Sequence, residues 1–287
     1  MPPNSAADFE NKDRSEGKTM KIAIITGASS GMGRESTVQL ADRFGGKLDE
    51  IWLLARRKEK MEELIGQVPA KLRLFPMDIT DRIQLEKLKL ALEEEKPRVV
   101  FLVNAAGFGK IGKVGEVSLS DEMGMVQLNC QALCAVTNIV LPYLQKGSRV
   151  IQYASSAAFL PQAGFAIYAA TKSFVLSYSQ ALNQELQERG IRVTAVCPGP
   201  VDTEFFAVAE TTGEIPAYKQ FAMANPKKVV RLAIRDSLMG KRVSIYGLTM
   251  KSFYWLCRLL PHSLLLTVWD GLMQAAKYGR KGWKKKG

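Results

Sequence analysis

The stretch ITGASSGMG at residues 25–33 follows the apolar run KIAII and spaces three glycines as G-x-x-x-G-x-G. A glycine turn between a strand and a helix presents unpaired backbone N–H groups and the positive end of the helix dipole, which suits a pyrophosphate group. A tight turn that needs glycine only for its backbone conformation is the alternative, and the spacing differs from the G-x-G-x-x-G of the standard dinucleotide fingerprint. The motif therefore needs support from the rest of the chain.

Outward from this turn, apolar runs of strand length alternate with helical patterns. The runs are KIAIIT, IWLLA, KLRLFPM, RVVFLVN, SRVIQYAS and IRVTAVC, and the helices are predicted at about 33–44, 60–65, 83–95, 119–144, 168–189 and 229–239. This alternation predicts an α/β fold, a doubly wound parallel sheet of the Rossmann type with helices on both faces. Burial of the strands on both sides accounts for their continuous Val, Ile and Leu character.

We predict one main domain, residues 20–248, in the chain of 287 residues. Residues 1–19 are polar and lack the apolar segment of a secretory signal, so we expect a disordered extension, with Met20 as an alternative start. Residues 202–226 are punctuated by Pro and Gly and carry aromatic side chains, which predicts a lid at the carboxyl edge of the sheet. We predict that residues 249–287 form an amphipathic, basic C-terminal helical extension.

The composition, 47% hydrophobic and 24% charged, is typical of a soluble globular protein. The formal net charge is +12, and beyond Gly240 ten basic residues stand against one acid, so the body is nearly neutral. A nucleic-acid-binding domain would spread its basic residues over the surface that contacts the nucleic acid, whereas here they concentrate near the C-terminus. We therefore expect no nucleic-acid partner. The four cysteines lack metal-ligand spacing and stand apart from His262, which predicts no metal site and a reduced, cytoplasmic setting.

Further landmarks follow the glycine turn: NAAG at 104–107, Asn129, Ser155, the Tyr168-x-x-x-Lys172 pair within YAATK, and PGPVDT at 198–203. In their order and intervals, over roughly residues 20–240, they resemble the short-chain dehydrogenase/reductase family. Within that family the chain looks most like bacterial hydroxysteroid and 3-oxoacyl reductases. The resemblance implies an oxidoreductase that transfers a hydride between a nicotinamide cofactor and a ketone or alcohol.

Tyr168 and Lys172 lie four residues apart on a predicted helix and so share one face. An unperturbed tyrosine has a pKa of about 10, and a neighbouring ammonium group would lower it. Tyr168 is therefore the candidate general acid for ketone reduction, or base for alcohol oxidation. The resemblance implies that Ser155 holds the substrate oxygen, with Ser156 as the neighbouring alternative, and that Asn129 orders a water and Lys172 in a proton relay. A local bond within its own helix is the alternative for Asn129.

The segment LLARRKEK at the end of the second strand contains no acid before Glu59. NAD favours an acid at this place for its ribose hydroxyls, whereas a 2′-phosphate favours a cation. Arg56 and Arg57 therefore predict NADP(H), the alternative being two arginines that face solvent. The resemblance implies that Asp78 bonds the adenine amine and that Thr203 bonds the nicotinamide carboxamide; a helix N-cap is the other role considered for Asp78. The other cofactor contacts that the resemblance implies are Gly27, Ser29, Ser30, Gly31, Met32, Gly33, Ile79, Asn104, Ala105, Gly107, Tyr168, Lys172, Pro198, Gly199 and Val201.

Aromatic residues near the expected site predict an apolar lining that suits a bulky, lipophilic ketone or alcohol, with internal packing as the alternative. The candidate substrate contacts are Ser155, Phe108, Phe159, Phe165, Phe205, Phe206 and Tyr218.

The C-terminal extension carries Trp255, Trp269 and Trp283 on two amphipathic patterns, and its apolar stretch is too short to span a bilayer. Together with its basic end, this predicts a peripheral membrane contact, with a dimer interface or a flap over the active site as alternatives. The resemblance implies a homo-oligomer. The leading hypothesis is an NADP(H)-dependent oxidoreductase, and the second is a catalytically silent nucleotide-binding protein docked to membranes by its tail.

Overall fold

Seven strands pair in parallel to form one sheet in the part of the chain that the computed structural model describes, residues 19–209 and 223–268. The strand order is β3-β2-β1-β4-β5-β6-β7, which confirms the predicted doubly wound sheet. The strands are β1 (Lys21–Thr26), β2 (Glu50–Ala55), β3 (Leu72–Pro76), β4 (Arg98–Asn104), β5 (Leu144–Tyr153), β6 (Arg192–Val196) and β7 (Val243–Ser244). The strand order reverses at β1 and β4, where the carboxyl ends of parallel strands leave a crevice for a ligand.

Helices cover both faces of this sheet. They are α1 (Gly31–Phe44), α2 (Lys58–Glu62), α3 (Arg82–Glu95), α4 (Leu119–Val126), α5 (Leu133–Val140), α6 (Ala166–Glu185), α7 (Phe205–Ala209), α8 (Pro226–Leu238) and α9 (Leu248–Leu259). Along β1, Ala23 and Ile25 belong to one buried apolar cluster, whereas Ile22 and Ile24 belong to another. Alternate side chains of a strand point to opposite faces, so the continuous apolar run reflects burial on both sides.

The single helix predicted at 119–144 is interrupted. A π-helical segment, Gln127–Ala132, separates α4 from α5, and a 3₁₀ turn at Leu141–Tyr143 precedes β5, which begins at Leu144. By length and composition alone, Leu119–Tyr143 would be long and apolar enough to cross a membrane, a test that core helices of globular proteins also pass. Here Val136 and Val140 are fully buried in a core cluster against the sheet.

The C-terminal extension packs on the body of the protein as far as residue 268. Phe253 and Tyr254 of α9 lie against Phe159, with ring centroids 6.0 and 5.0 Å apart. A further helical segment, residues 262–268, contributes Leu265 and Leu266 to the same cluster. The predicted N-terminal extension, most of the predicted lid, Tyr218, Trp269 and Trp283 lie outside the described residues.

Candidate active site

The glycine turn lies at the carboxyl end of β1 and lines a cleft of about 700 Å³. Gly27 and Gly31 have φ angles of +66° and +51°, a conformation that favours glycine. A Cβ on Gly33 would lie 2.2 Å from the Gly27 carbonyl oxygen, so only glycine allows α1 to approach the turn this closely. Ser30, the N-cap of α1, makes no side-chain capping bond. The backbone N–H groups at this helix end therefore fit a phosphate group.

Most of the predicted cofactor contacts line this cleft. Those that do are Gly27, Ser29, Ser30, Gly31, Met32, Arg56, Arg57, Asp78, Ile79, Ala105, Gly107 and Thr203. Asn104 is buried behind the cleft at the end of β4, where its amide donates to Thr137 Oγ1 at 3.0 Å. Pro198, Gly199, Val201 and Tyr168 line the neighbouring cavity instead. Asp78 accepts bonds from Thr80, and the N-cap of α3 is Asp81, so the capping role considered for Asp78 is wrong.

The guanidinium group of Arg57 sits at the mouth of the cleft and already has an acidic partner. It donates to Glu204 Oε2 at 2.9 Å and to Ser29 Oγ at 3.3 Å, and the side chains of Arg57 and Glu204 are about half exposed. Glu204 lies 147 positions further along the chain, which is why the local pattern around Arg57 did not indicate it. Among the described residues, β2 contributes no Asp or Glu to the lining of the cleft, so Arg56 and Arg57 have no acidic neighbour from that strand there.

Tyr168 and Lys172 project from α6, and both are buried. The Lys172 Nζ donates to the Tyr153 carbonyl oxygen at 2.9 Å and lies 5.6 Å from the centre of the Tyr168 ring. Ser155 follows β5 and lines the same cavity as Tyr168; its hydroxyl accepts from the Ala157 N–H at 3.1 Å. Ser156 also lines the cavity, but the Ser155 side chain is the one that lowers the pKa of the Tyr168 phenol, which favours Ser155 as the residue that acts with Tyr168.

Asn129 lies in the π-helical segment, and its amide reaches two distant parts of the chain. Its Oδ1 accepts from the Phe108 N–H at 3.0 Å, and its Nδ2 donates to the Phe108 carbonyl at 2.9 Å and to Thr171 Oγ1 at 3.0 Å. The purely local alternative for Asn129 is therefore wrong. A Cβ on Gly107 would lie 2.9 Å from Asn129 Oδ1 and 3.2 Å from Lys172 Nζ, so glycine keeps these two groups close together.

Burial determines the protonation states in this site. It raises the pKa of Tyr168 above its ordinary value, an effect that the hydrogen bond from Ser155 opposes. Burial also lowers the pKa of Lys172 to about 8. A net lowering of the Tyr168 pKa, expected from the neighbouring Lys172, is not found, because desolvation of the buried phenol dominates. At neutral pH Tyr168 is thus a neutral phenol, the form that can donate a proton.

An apolar cavity of about 450 Å³ adjoins the cleft, and Met32, Thr203 and Phe205 line both. Of the predicted substrate contacts, Ser155, Phe165, Phe205 and Phe206 line this cavity. Phe108 lines the cleft instead. The assignment of Phe159 is wrong, because its ring is buried against Phe253 and Tyr254.

Besides Glu204, sequence reasoning missed Met250, Phe253 and Gly109. Met250 and Phe253 of α9 form part of the cavity wall, which supports the flap considered for the extension. Gly109 lies against Tyr168, since a Cβ on it would come within 2.6 Å of Tyr168 Cδ2. The apolar pattern of the extension was visible in the sequence, but its position over the site was not.

Comparisons with known proteins agree with this geometry. A family model described as short chain dehydrogenase matches residues 21–213. A serine 3-dehydrogenase from Agrobacterium fabrum is 35% identical over 188 residues, covering 64% of this chain and 74% of that protein. A short-chain dehydrogenase from Sphingobium yanoikuyae, solved in complex with NADPH, is similar in structure with a TM-score of 0.70 and 26% identity, covering 89% of this chain and 95% of that one. The bulky-bulky ketone specific alcohol dehydrogenase from Comamonas testosteroni has a TM-score of 0.66 and 25% identity over 92% of this chain and 94% of that one.

Proposed function

We propose that this chain, which belongs to the short chain dehydrogenase family, is an oxidoreductase that uses NADP(H) and acts on a lipophilic ketone or secondary alcohol. Hydroxysteroids and 3-oxoacyl compounds are the substrate classes that we favour. The observation that carries the proposal is the position of Tyr168 and Ser155 on the wall of an apolar cavity, beside the cleft of the glycine turn. A homo-oligomer in the cytoplasm is a further part of the proposal, and it rests on the family resemblance and the cysteine pattern.

When bound, the nicotinamide ring supplies a hydride to the carbonyl carbon or accepts one from the alcohol carbon. Tyr168, a neutral phenol next to the cavity, donates its proton to the carbonyl oxygen as that oxygen gains negative charge. The Ser155 hydroxyl donates a hydrogen bond to the same oxygen and holds it against the phenol. In the direction of alcohol oxidation, the Tyr168 phenolate takes the hydroxyl proton.

Lys172 stabilises the phenolate that remains after reduction. Its ammonium group lies 5.6 Å from the Tyr168 ring centre in a buried site, where charge interactions are stronger than in water. Because the pKa of Lys172 is about 8, the Lys172 side chain is mostly protonated and positively charged at neutral pH. Asn129 holds the Phe108 backbone in place through two hydrogen bonds. It would thereby help to form the relay, through Lys172, that returns a proton to Tyr168 after reduction.

The preference for NADP(H) is supported by the charges at the mouth of the cleft. Arg56 and Arg57 follow β2 without an acid, and a guanidinium group matches phosphate geometry. A 2′-phosphate there would compete with Glu204 for Arg57, whereas NADH carries no group that would do so. The structural relative from Sphingobium yanoikuyae, described in complex with NADPH, agrees with this preference.

The preference for a bulky apolar substrate is supported by the cavity lining. Phe165, Phe205 and Phe206 face it from the body, and Met250 and Phe253 close it from α9. Such a lining favours apolar contact area over charged groups. The relative from Comamonas testosteroni, described as specific for bulky-bulky ketones, is in line with this view.

The test is a fluorescence titration of the full chain with NADPH and NADH, followed by a turnover screen with steroid ketones, 3-oxoacyl thioesters and acetone as a small control. We expect tighter binding of NADPH and turnover of a bulky ketone but not of acetone. Binding of neither nucleotide would overturn the cofactor proposal. Binding without turnover of any ketone would overturn the proposed reaction.

A further inference from the structure

Helix α9 is apolar on two opposite sides. One side carries Met250, Phe253 and Cys257, which pack in the core cluster that covers the cavity. On the other side, at helical spacing, the four large apolar residues are 46 to 81% exposed: Leu248, Trp255, Leu256 and Leu259. A helix that is apolar all round is normally covered on all sides. The exposed side of α9 therefore marks a contact surface.

The next helical segment also exposes large apolar residues. Leu260, Leu264 and Val268 are 38, 50 and 53% exposed, and together with the four residues of α9 they form what we term the C-terminal apolar face. Seven exposed large apolar residues within 21 positions of the chain are a concentration of apolar surface that indicates an interaction site.

The charge around this face has one sign. Residues 248–268 contain Lys251 and Arg258 but no Asp or Glu. The guanidinium group of Arg258 donates to the Tyr254 hydroxyl at 2.8 Å, which holds the charge at the edge of the apolar face. An anionic partner with an apolar interior would complement both properties.

We propose that the C-terminal apolar face docks on the surface of an anionic lipid bilayer. The 12 residues of α9 span about 18 Å, less than the roughly 30 Å of a bilayer core, so the helix would lie in the interface plane. Trp255 and the leucines would enter the headgroup region, with Lys251 and Arg258 on lipid phosphates. A second copy of the chain fits less well, because a two-fold interface would bring these cations together with no carboxylate on the face to pair them.

Docking in this orientation would place the substrate cavity next to the membrane. Met250 and Phe253 line the cavity from the same helix whose opposite side would meet the lipid. A lipophilic ketone dissolved in the bilayer would then reach the cavity beside α9. This consequence rests on the proposed function, whereas the docking itself does not.

The experiment is co-sedimentation of the full chain with vesicles of phosphatidylcholine alone and of an equal mixture of phosphatidylcholine and phosphatidylglycerol. We expect binding to the mixed vesicles that weakens with added salt, since each Lys or Arg near an anionic surface contributes about a fivefold gain in affinity. The variant Trp255→Glu/Leu259→Glu should lose at least about tenfold in binding, because it removes apolar area and adds repulsion. The matched control Ile83→Glu changes a residue of α3 that is 81% exposed and should bind as the wild type does.

Failure of the wild-type protein to bind mixed vesicles would overturn the proposal, and so would equal binding to vesicles of phosphatidylcholine alone. Unchanged binding of the double variant, with a melting temperature like that of the wild type, would also overturn it. Light scattering without vesicles tests the competing occupant: a wild-type dimer that becomes a monomer in the double variant would assign the face to a second copy. Neither readout requires cofactor or substrate, so a failure here is separate from a failure of the proposed function.

Discussion

Replacement of Gly109 by alanine should disable the site without unfolding the protein. A Cβ at this position would lie 2.6 Å from Tyr168 Cδ2 and 3.0 Å from Phe205 Cζ. Carbon atoms pack best at about 3.5–4.0 Å, so the Tyr168 ring has to move by about 1 Å. That ring is stacked on Phe165 at a centroid distance of 4.3 Å and cannot shift without disturbing its neighbours.

The size of the effect follows from the precision that a catalytic acid needs. A misplacement of about 1 Å costs roughly 10²-fold in rate. We therefore expect Gly109→Ala to lower kcat/KM for ketone reduction about 100-fold, which corresponds to about 2.7 kcal/mol of transition-state stabilisation. The affinity for NADPH should remain close to that of the wild type, because Gly109 does not line the cofactor cleft.

The assay follows the loss of NADPH fluorescence with the ketone that the wild-type protein reduces fastest in the screen. Gly46→Ala is the matched control, since a Cβ there would meet no atom within 4 Å. This control should leave kcat/KM and the melting temperature unchanged. If the Gly109→Ala variant binds NADPH and reduces the ketone at the wild-type rate, the claim that Tyr168 is the general acid and is held in position against Gly109 is refuted.

Four further predictions follow from the same site. Tyr168→Phe should lower the rate of reduction by about 10²–10⁴-fold while NADPH still binds, as measured by turnover and titration; full activity would exclude Tyr168 as the acid. Glu204→Gln should tighten NADPH binding by about two- to fivefold through release of Arg57 from an exposed ion pair, and equal tightening of NADH in the same titration would contradict this. The rate of reduction should fall as pH rises through about 8, because Lys172 loses its charge there and no longer stabilises the phenolate; a pH profile without an inflection near that value would count against the role of Lys172. Asn129→Ala should cost about 3 kcal/mol of unfolding free energy in a denaturant titration, since three hydrogen bonds are lost and the part-buried N–H and carbonyl groups of Phe108 lose their partner; a loss below about 1 kcal/mol would show that these bonds do not stabilise the segment.

Several features could not be predicted from local patterns, for reasons that differ from residue to residue. The strand β7 has only two residues, which is too short for any periodicity to show. The π-helical segment inserts within an apolar run whose composition favours a continuous helix. Phe159 and Phe165 look alike in the sequence, yet the ring of Phe159 packs on α9 while that of Phe165 lies in the cavity wall.

The sequence by itself determined the parallel α/β sheet, the glycine turn before α1, and the common face of Tyr168 and Lys172. These features depend on short-range spacing, such as alternation along a strand or a four-residue step on a helix. Only the tertiary structure decided which acid pairs with Arg57, which wall of the cavity α9 provides, and whether burial or Lys172 controls the pKa of Tyr168. The physical reason is that these properties depend on contacts between segments far apart in the chain and on the burial that those contacts cause. Residue spacing along the sequence does not determine which distant segments meet.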